Sequence, residues 1–425
     1  MRDLFGSVAI STHSVDDYVP FAGERAIDSL RAAAAPLAGL RVLCLSSPSA
    51  SVAVRSLLQS SVPLLANLGL DIHWQQVRIP AEHLDMDNAL RRALSGYNAA
   101  WTESHEQSWR QFNQANALAF DEEFDIVVVH HTASVGLHAA LTHLNGKPPT
   151  GVWLWDSHRD YRVAHPQAWS LVRQHADNFA ASIYDYQGFI RSDAPTDRRF
   201  AVSPGVDPLS PRSRPVADVV RETILTQRGI DPDRPVLAQI VLSMREDDPH
   251  RALDAYTLLK RDRPELQFVI ANLQPVEAAT IEGVNAQRER AREIGDVHVL
   301  TEMDRVGNVE LSALREEATA LIHEGYPRGI SMGLIEEMWQ SRPIVSAHSS
   351  PAEALIADGK TGLIANTPEE QAAAVDSLLA DRRRADRIGK AAHQFIARRY
   401  LITHYLAGYL RALNKTFARR RAVVR

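Results

Sequence analysis

HEGYPRGISMGLIEEMWQSRPIV, residues 323–345, is the stretch that decides the fold. The run ATALIHEG (318–325) is short, apolar and without helical spacing, so it reads as a buried strand. A Pro and a Gly around PRGI (327–330) open a loop. GLIEEMW then spaces its apolar residues as a helix does, and Pro343 leads into a second apolar strand, SRPIVSAHS (341–349). Strand, loop, helix and strand in succession make a βαβ unit, which requires parallel pairing.

The same alternation extends in both directions. Upstream lie LRVLCLSS (40–47), a helical segment, DIHWQQV (71–77), a long polar helical stretch (85–119) and FDIVVVHH (124–131). GVWLWDSH (151–158), FAASIYD (179–185) and RFAVSPGVDPLS (199–210) follow. DPLSPRSRPVAD (207–218) is rich in Pro, Ser and Arg and reads as a linker. The pattern restarts with RPVLAQIVLS (234–243), LQFVIANL (266–273) and VHVLTE (297–302), and after SRPIVSAHS it continues with KTGLIANT (360–367) before a helical end. This predicts an α/β protein of two Rossmann-like, doubly wound domains facing a cleft, with ligands beyond the carboxyl ends of the strands. The expected domains are 1–208 and 209–397, with residues 398–425 forming a terminal helix that crosses back to the first.

Composition narrows the function classes. The chain has 425 residues, 45% hydrophobic and 23% charged, with net charge −5, which is ordinary for a globular protein of two domains. Nothing points to a nucleic-acid partner. The basic end ARRRAVVR reads as a solvated tail. The single cysteine, Cys44, excludes intrachain disulfides and cysteine-cluster zinc, and its place in LRVLCLS predicts a buried strand thiol. The start MRDLFGSVAISTHSVDDY lacks a leader's apolar core, and no apolar run reaches the ~18 residues of a membrane span. A cytoplasmic protein is expected.

The order of these pieces resembles the GT-B glycosyltransferases of retaining family 4, and within it the trehalose synthases of the glycosyltransferring type, with the retaining trehalose phosphorylases nearby. The resemblance runs nearly end to end. It rests on PGVDPLS, on EGY…EMW…RPIV and on DGKTGL, in the order that family has them. It implies a nucleotide-diphosphate sugar as donor, a small-molecule acceptor and no further cofactor.

Residue roles follow from the same resemblance. Glu324 stands where the family's first glutamate contacts sugar hydroxyls, and Glu336 where the second holds the nucleotide ribose. Their separation is twelve where the family has eight, so a lengthened loop falls at PRGI. Glu337, beside them, reads as a solvated helix face. Ser243, Arg245 and Arg251, in LSMREDDPHRAL, fall where the family binds the donor phosphates, and guanidinium suits a diphosphate. His158 and Asp160, in WDSHRDY, match the family's reaction-centre histidine and an aspartate that contacts hydroxyls. His131 and the adjacent His130 end another strand and are expected to line the acceptor side. Paired histidines raise the thought of a metal, but no carboxylate–histidine spacing supports one, and none is expected.

The largest departure is SSPSASVAV (46–54), which has no glycine where the family has a glycine-rich turn. Ser49 and Ser51 either supply hydroxyls or cap the next helix, and Arg55 is placed to face an anionic acceptor. Trp101 and Trp109, on the polar helical stretch, are expected to form a homodimer contact or a lid over the acceptor. Three readings remain open: a transferase, a phosphorylase of the same fold that needs phosphate and no nucleotide, and an inactive sugar-binding relic.

Overall fold

The computed structural model describes residues 4–48, 51–97, 99–196, 198–241, 250–272, 278–324, 329 and 331–423. The chain divides into two compact units. Unit 1 holds residues 1–204, 328–330 and 402–425; unit 2 holds 205–327 and 331–401. The first division thus falls after Pro204, just ahead of the expected 208, and the return is at Ile402. No helix among the described residues is long and apolar enough to cross a membrane.

Among the described residues unit 1 is built on seven strands: β1 (Phe5–Ser7), β2 (Arg41–Ser46), β3 (Asp71–Val77), β4 (Ile126–Val129), β5 (Val152–Ser157), β6 (Ala181–Tyr184) and β7 (Arg199–Ala201). Their order is β1-β3-β2-β4-β5-β6-β7, with β1 antiparallel to β3 and the other pairs parallel. The apolar runs are continuous because both faces are covered. Alternate residues divide between two cores, as a period of two dictates. Val42, Cys44, Ile126, Val128 and Leu154 belong to one, and Leu43, Leu45, Val127, Val129 and Trp155 to the other. The last helix, Ile402–Val423, seals the first core with Ile402, Tyr405, Leu406, Tyr409 and Leu413, the i, i+3, i+4 spacing of one helical stripe.

Helix α1 (Val52–Asn67) follows β2. The stretch expected as one polar helix is two, α2 (Leu84–Leu94) and α3 (Glu103–Ala119). Its tryptophans are core residues rather than a dimer contact or lid. Trp101 is 6% exposed and Trp109 1%. Trp109 lies so close to Gly136 that a Cβ there would sit 2.5 Å from the indole ring. A polar helix hides such a ring because its other face alone carries the charges.

Among the described residues unit 2 has six parallel strands: β8 (Val236–Val241), β9 (Gln267–Asn272), β10 (Val297–Thr301), β11 (Ala320–His323), β12 (Ile344–Ser346) and β13 (Leu363–Ile364). The order is β10-β9-β8-β11-β12-β13. Helices α4 (Arg251–Asp262), α5 (Asn308–Glu317), α6 (Met332–Trp339) and α7 (Pro368–Ala380) carry the residues that matter below. The strand order reverses at β8, between β9 and β11, and in unit 1 at β2, between β3 and β4. Such reversals leave a crevice at the carboxyl ends of the strands where ligands bind.

The expected linker 207–218 is part of unit 2. Ser213 is buried, and its carbonyl accepts from Trp339 Nε1 (3.2 Å) and Gln340 Nε2 (3.1 Å). Val216 N–H donates to Glu316. Prolines and arginines look solvated in a sequence; here Arg212 and Ser213 are buried.

Candidate active site

In unit 2 the reversal point brings together two residues far apart in the chain. Glu324 follows β11 directly, and β11 pairs with β8. Arg251 is the first residue of α4, the helix that follows β8. Arg251 Nη1 stands 3.6 Å from Glu324 Oε2, with side-chain exposures of 13% and 9%. Glu324 Oε1 accepts from the side-chain amide of Gln371 on α7, which is fully buried. The result is a carboxylate and a guanidinium held side by side at the carboxyl edge of a parallel sheet. That pairing offers hydroxyl acceptors and an anion donor in one place.

Behind it, α6 carries Glu336 and Glu337, both buried. Arg212 clasps Glu336 with two bonds of 2.9 Å, from Nε to Oε1 and from Nη2 to Oε2. Arg315 Nη2 adds a third at 2.6 Å and is itself entirely buried. Burial alone would raise the Glu336 pKa, but the two guanidiniums outweigh it and hold the carboxyl below its usual range. Burial pushes Arg315 the other way, below the ordinary arginine value. Glu337 Oε2 lies 2.8 Å from His323 Nδ1. Glu337 is therefore no solvated face. All of α6 from Met332 to Met338 is buried, leaving no side of the helix in water. Glu336, the expected ribose ligand, is already bound by two guanidiniums in this structure.

In unit 1 a second charged cluster lies at the ends of β4, β5 and β6. His158 Nδ1 is 3.0 Å from Asp185 Oδ1, and His158 Nε2 is 3.1 Å from His130 Nδ1. Asp156 Oδ2 is 3.3 Å from His130 Nδ1. Burial opposes a charge on His158, but Asp156 and Asp185 more than offset it and lift its pKa to about 9. Burial raises Asp156 to about 7 against the pull of His158. Burial and the neighbouring imidazolium drive His130 well below its ordinary value. Tyr405, from the last helix, hydrogen-bonds Asp156, and Tyr409 lies 3.7 Å from Cys44 Sγ. Burial pushes the Cys44 thiol up to about 12.

His130, Asp156 and His158 place ligand-type atoms within 4.8 Å of one another. The two rings do not suit an ion. Their planes are within 8° and their centroids 5.4 Å apart. With facing nitrogens 3.1 Å apart, the remainder is the two ring radii, so both nitrogens lie on the line between centroids. Each lone pair points at the other nitrogen. A metal on that line would sit far inside the ~2.0 Å bond that imidazole makes to zinc. The geometry fits one shared proton.

Comparison with known proteins decides what these units belong to. Residues 47–191 match the family "Trehalose synthase, N-terminal domain", and residues 220–395 match "Glycosyl transferases group 1". Trehalose synthases of Thermococcus litoralis and Rubrobacter xylanophilus are each 24% identical, over 94% of this chain and 96% of theirs. Among solved structures, a UDP-forming α,α-trehalose-phosphate synthase from Burkholderia xenovorans superimposes with TM-score 0.69 at 12% identity, covering 89% of this chain and 99% of that one. Anabaena HepE in complex with UDP-glucose gives 0.63 at 13%, covering 90% and 100%. This chain is a glycosyltransferase of the GT-B fold, related to the trehalose synthases.

The transferase treats its other expected site residues unevenly. Asp160 is 1% exposed and its carboxylate is held by Arg162 through Nε and Nη2, so it is not presented to a hydroxyl. His131 is buried between Asp87 (3.2 Å) and Ser134 (2.9 Å). Ser51 is a helix cap: its hydroxyl accepts from Val54 N–H at the start of α1. Arg55 Nη2 donates to the Pro48 carbonyl at 3.0 Å. Ser49, Ser243 and Arg245 lie outside the described residues. Gly329, of the lengthened loop, has φ +105°, and a Cβ there would stand 2.8 Å from the His158 carbonyl oxygen.

Sequence reasoning missed Gln371, Asp185, Arg212 and Arg315. Asp156 and Asp185 carried a signal, each being the one charge at the end of an apolar strand. Gln371 and the two arginines carried none, being polar residues on helices or in a Pro-rich run.

Proposed function

We propose that the transferase is a retaining, trehalose-synthase-like enzyme. It moves a hexosyl group, glucosyl by likeness, from a nucleotide-diphosphate sugar to the hydroxyl of a sugar or small metabolite. It uses the donor as its only cofactor-like molecule and works in the cytoplasm. The observation that carries this reading is the Arg251–Glu324 pair at the strand reversal of unit 2. A transferase must neutralise a departing diphosphate and hold sugar hydroxyls, and this pair supplies one group for each. The names of the relatives and the UDP-glucose bound by HepE support it.

The chemistry balances without a side-chain nucleophile. The bond from the anomeric carbon to the diphosphate oxygen breaks, and the acceptor oxygen bonds to the same face. The acceptor's proton passes to the departing phosphate oxygen. Arg251, with Arg245, stabilises the leaving charge, and Glu324 holds the sugar. Both His158 ring nitrogens are occupied, so its contribution falls to the main chain of the 158–160 turn. Ser51, Arg55 and His131 are engaged locally, with Val54, Pro48 and Asp87, rather than offered to an acceptor.

The test uses purified protein with UDP-, GDP- and ADP-glucose, with and without glucose. Nucleoside diphosphate release is measured, and proton NMR identifies the product. Glucose-dependent release with an α-linked product supports the reading. A disaccharide cleaved only in the presence of phosphate would favour the phosphorylase. No release, and no thermal stabilisation by any donor, would leave the relic.

A further inference from the structure

Both ring nitrogens of His158 are spent inside unit 1, on Asp185 and His130. A surface histidine that greets a substrate keeps one nitrogen for it. This one is held from both ends, and its side chain is 10% exposed. The N···N contact is in-plane and linear and takes a single proton. With the proton on His158, the ring donates to Asp185 and to His130, and His130 keeps its own hydrogen on Nε2. With the proton gone, His130 Nδ1–H turns donor, to His158 Nε2. Asp156 Oδ2 is close enough to compete for that hydrogen.

Charge selects between these states. Asp156 and Asp185 are 1% and 4% exposed. The groups that face the ring are Asp156 on β5, Asp185 after β6, His130 after β4 and Arg159 next in sequence, with Tyr405 of the last helix behind Asp156. Two buried carboxylates need a compensating cation, and the ring between them is where a proton meets that need. The held ring belongs to the first residue of the 158–160 turn, whose Asp160 is in turn fixed by Arg162.

We propose that Asp185 and His130 are positioning residues for glycosyl transfer: they lock the plane and protonation of the His158 ring, and through it the main chain of the turn. This rests on the transferase reading. The lock concerns unit 1, while donor affinity rests on Arg251 and Glu324 in unit 2, so the two respond separately to mutation.

The experiment uses full-length protein labelled with 15N-histidine, with His158 assigned by His158→Gln. Ring nitrogen shifts are followed from pH 6 to 9.5, alongside kcat and donor KM, for wild type, Asp185→Asn and His130→Gln. The expected wild-type His158 carries protons on both nitrogens beyond pH 8. Asp185→Asn loses them about one pH unit earlier or more, and each variant loses about tenfold to a hundredfold in kcat with donor KM within about twofold. His130→Gln is the safeguard should Asp185→Asn fold poorly, because it keeps a polar side chain in the buried site while removing the ring-to-ring contact. A wild-type His158 that titrates at the ordinary histidine value with the fold intact would overturn the proposal. So would variants with a released ring and undiminished kcat. A locked ring in a wild type that turns over no sugar donor would sink the transferase reading and the positioning role together, leaving the ring geometry standing.

Discussion

The two units bury charge in opposite ways. Unit 2 sets two guanidiniums, Arg212 and Arg315, against two carboxylates, Glu336 and Glu337, beside His323. Its cations are permanent, since arginine does not lose its proton in a protein. Unit 1 sets Asp156 and Asp185 against His130 and His158, where the cation is an imidazolium that exists only while a proton stays. A permanent set makes a rigid foundation under the Arg251–Glu324 pair. A titratable set makes its unit depend on pH. The comparison also separates burial from function: the acidic residue best matched to a ribose, Glu336, is the one most fully consumed by structure.

The largest break in this comparison comes from Glu336→Gln. Removing that carboxylate leaves Arg212 and Arg315 buried with one charge too many, and breaking such a pair costs about 3–5 kcal/mol. Urea unfolding read on Trp339 fluorescence, the one tryptophan of unit 2, should show a loss of that size. A loss below 1 kcal/mol would mean that water reaches the set.

A pH series sharpens it. The folded His158 pKa is raised to about 9 from 6.5. Its contribution is therefore complete below 6.5 and is lost as pH rises through 9. Asp156 is raised from 3.8 to about 7, so the native state also binds its proton more tightly, and that contribution has gone by about pH 7. Between pH 7 and 9 the fall belongs to His158 and amounts to about 2 kcal/mol. Trp155 and its neighbours in unit 1 should report it, and Trp339 should not. A unit 1 midpoint that holds steady from pH 7 to 9 would show His158 to be neutral.

Two smaller effects complete the series. Cys44 is buried with its thiol pushed up to about 12, so native protein should resist alkylation at pH 8 and react only as it unfolds. Ser51→Ala removes the cap of α1 and should cost about 1 kcal/mol, with kcat unchanged. A larger activity loss would return Ser51 to the acceptor side.

Much of this fold was legible in the sequence. Apolar runs such as LRVLCLS and FDIVVVHH announce strands because parallel sheets are covered on both faces. The order of the strands was not legible, since no local pattern says that β8 lies between β9 and β11. The candidate site divided in the same way. Glu324 and Arg251 were found through the family resemblance, whose motifs fall here on a strand end and a helix start. Gln371, Arg212 and Arg315 were not, because a polar residue on a helix looks the same whether it meets water or a buried carboxylate. Glu337 and the tryptophans of α3 and its approach were misplaced for the converse reason: the polar residues beside them pointed to solvent.

The most direct test is a calorimetric titration of UDP-glucose into wild type, Arg251→Ala and Asp185→Asn. If the donor is anchored at the strand reversal of unit 2, wild type and Asp185→Asn bind with the same affinity, and Arg251→Ala binds at least about tenfold more weakly, the loss of one charge-assisted contact. Equal affinity for wild type and Arg251→Ala would contradict that claim.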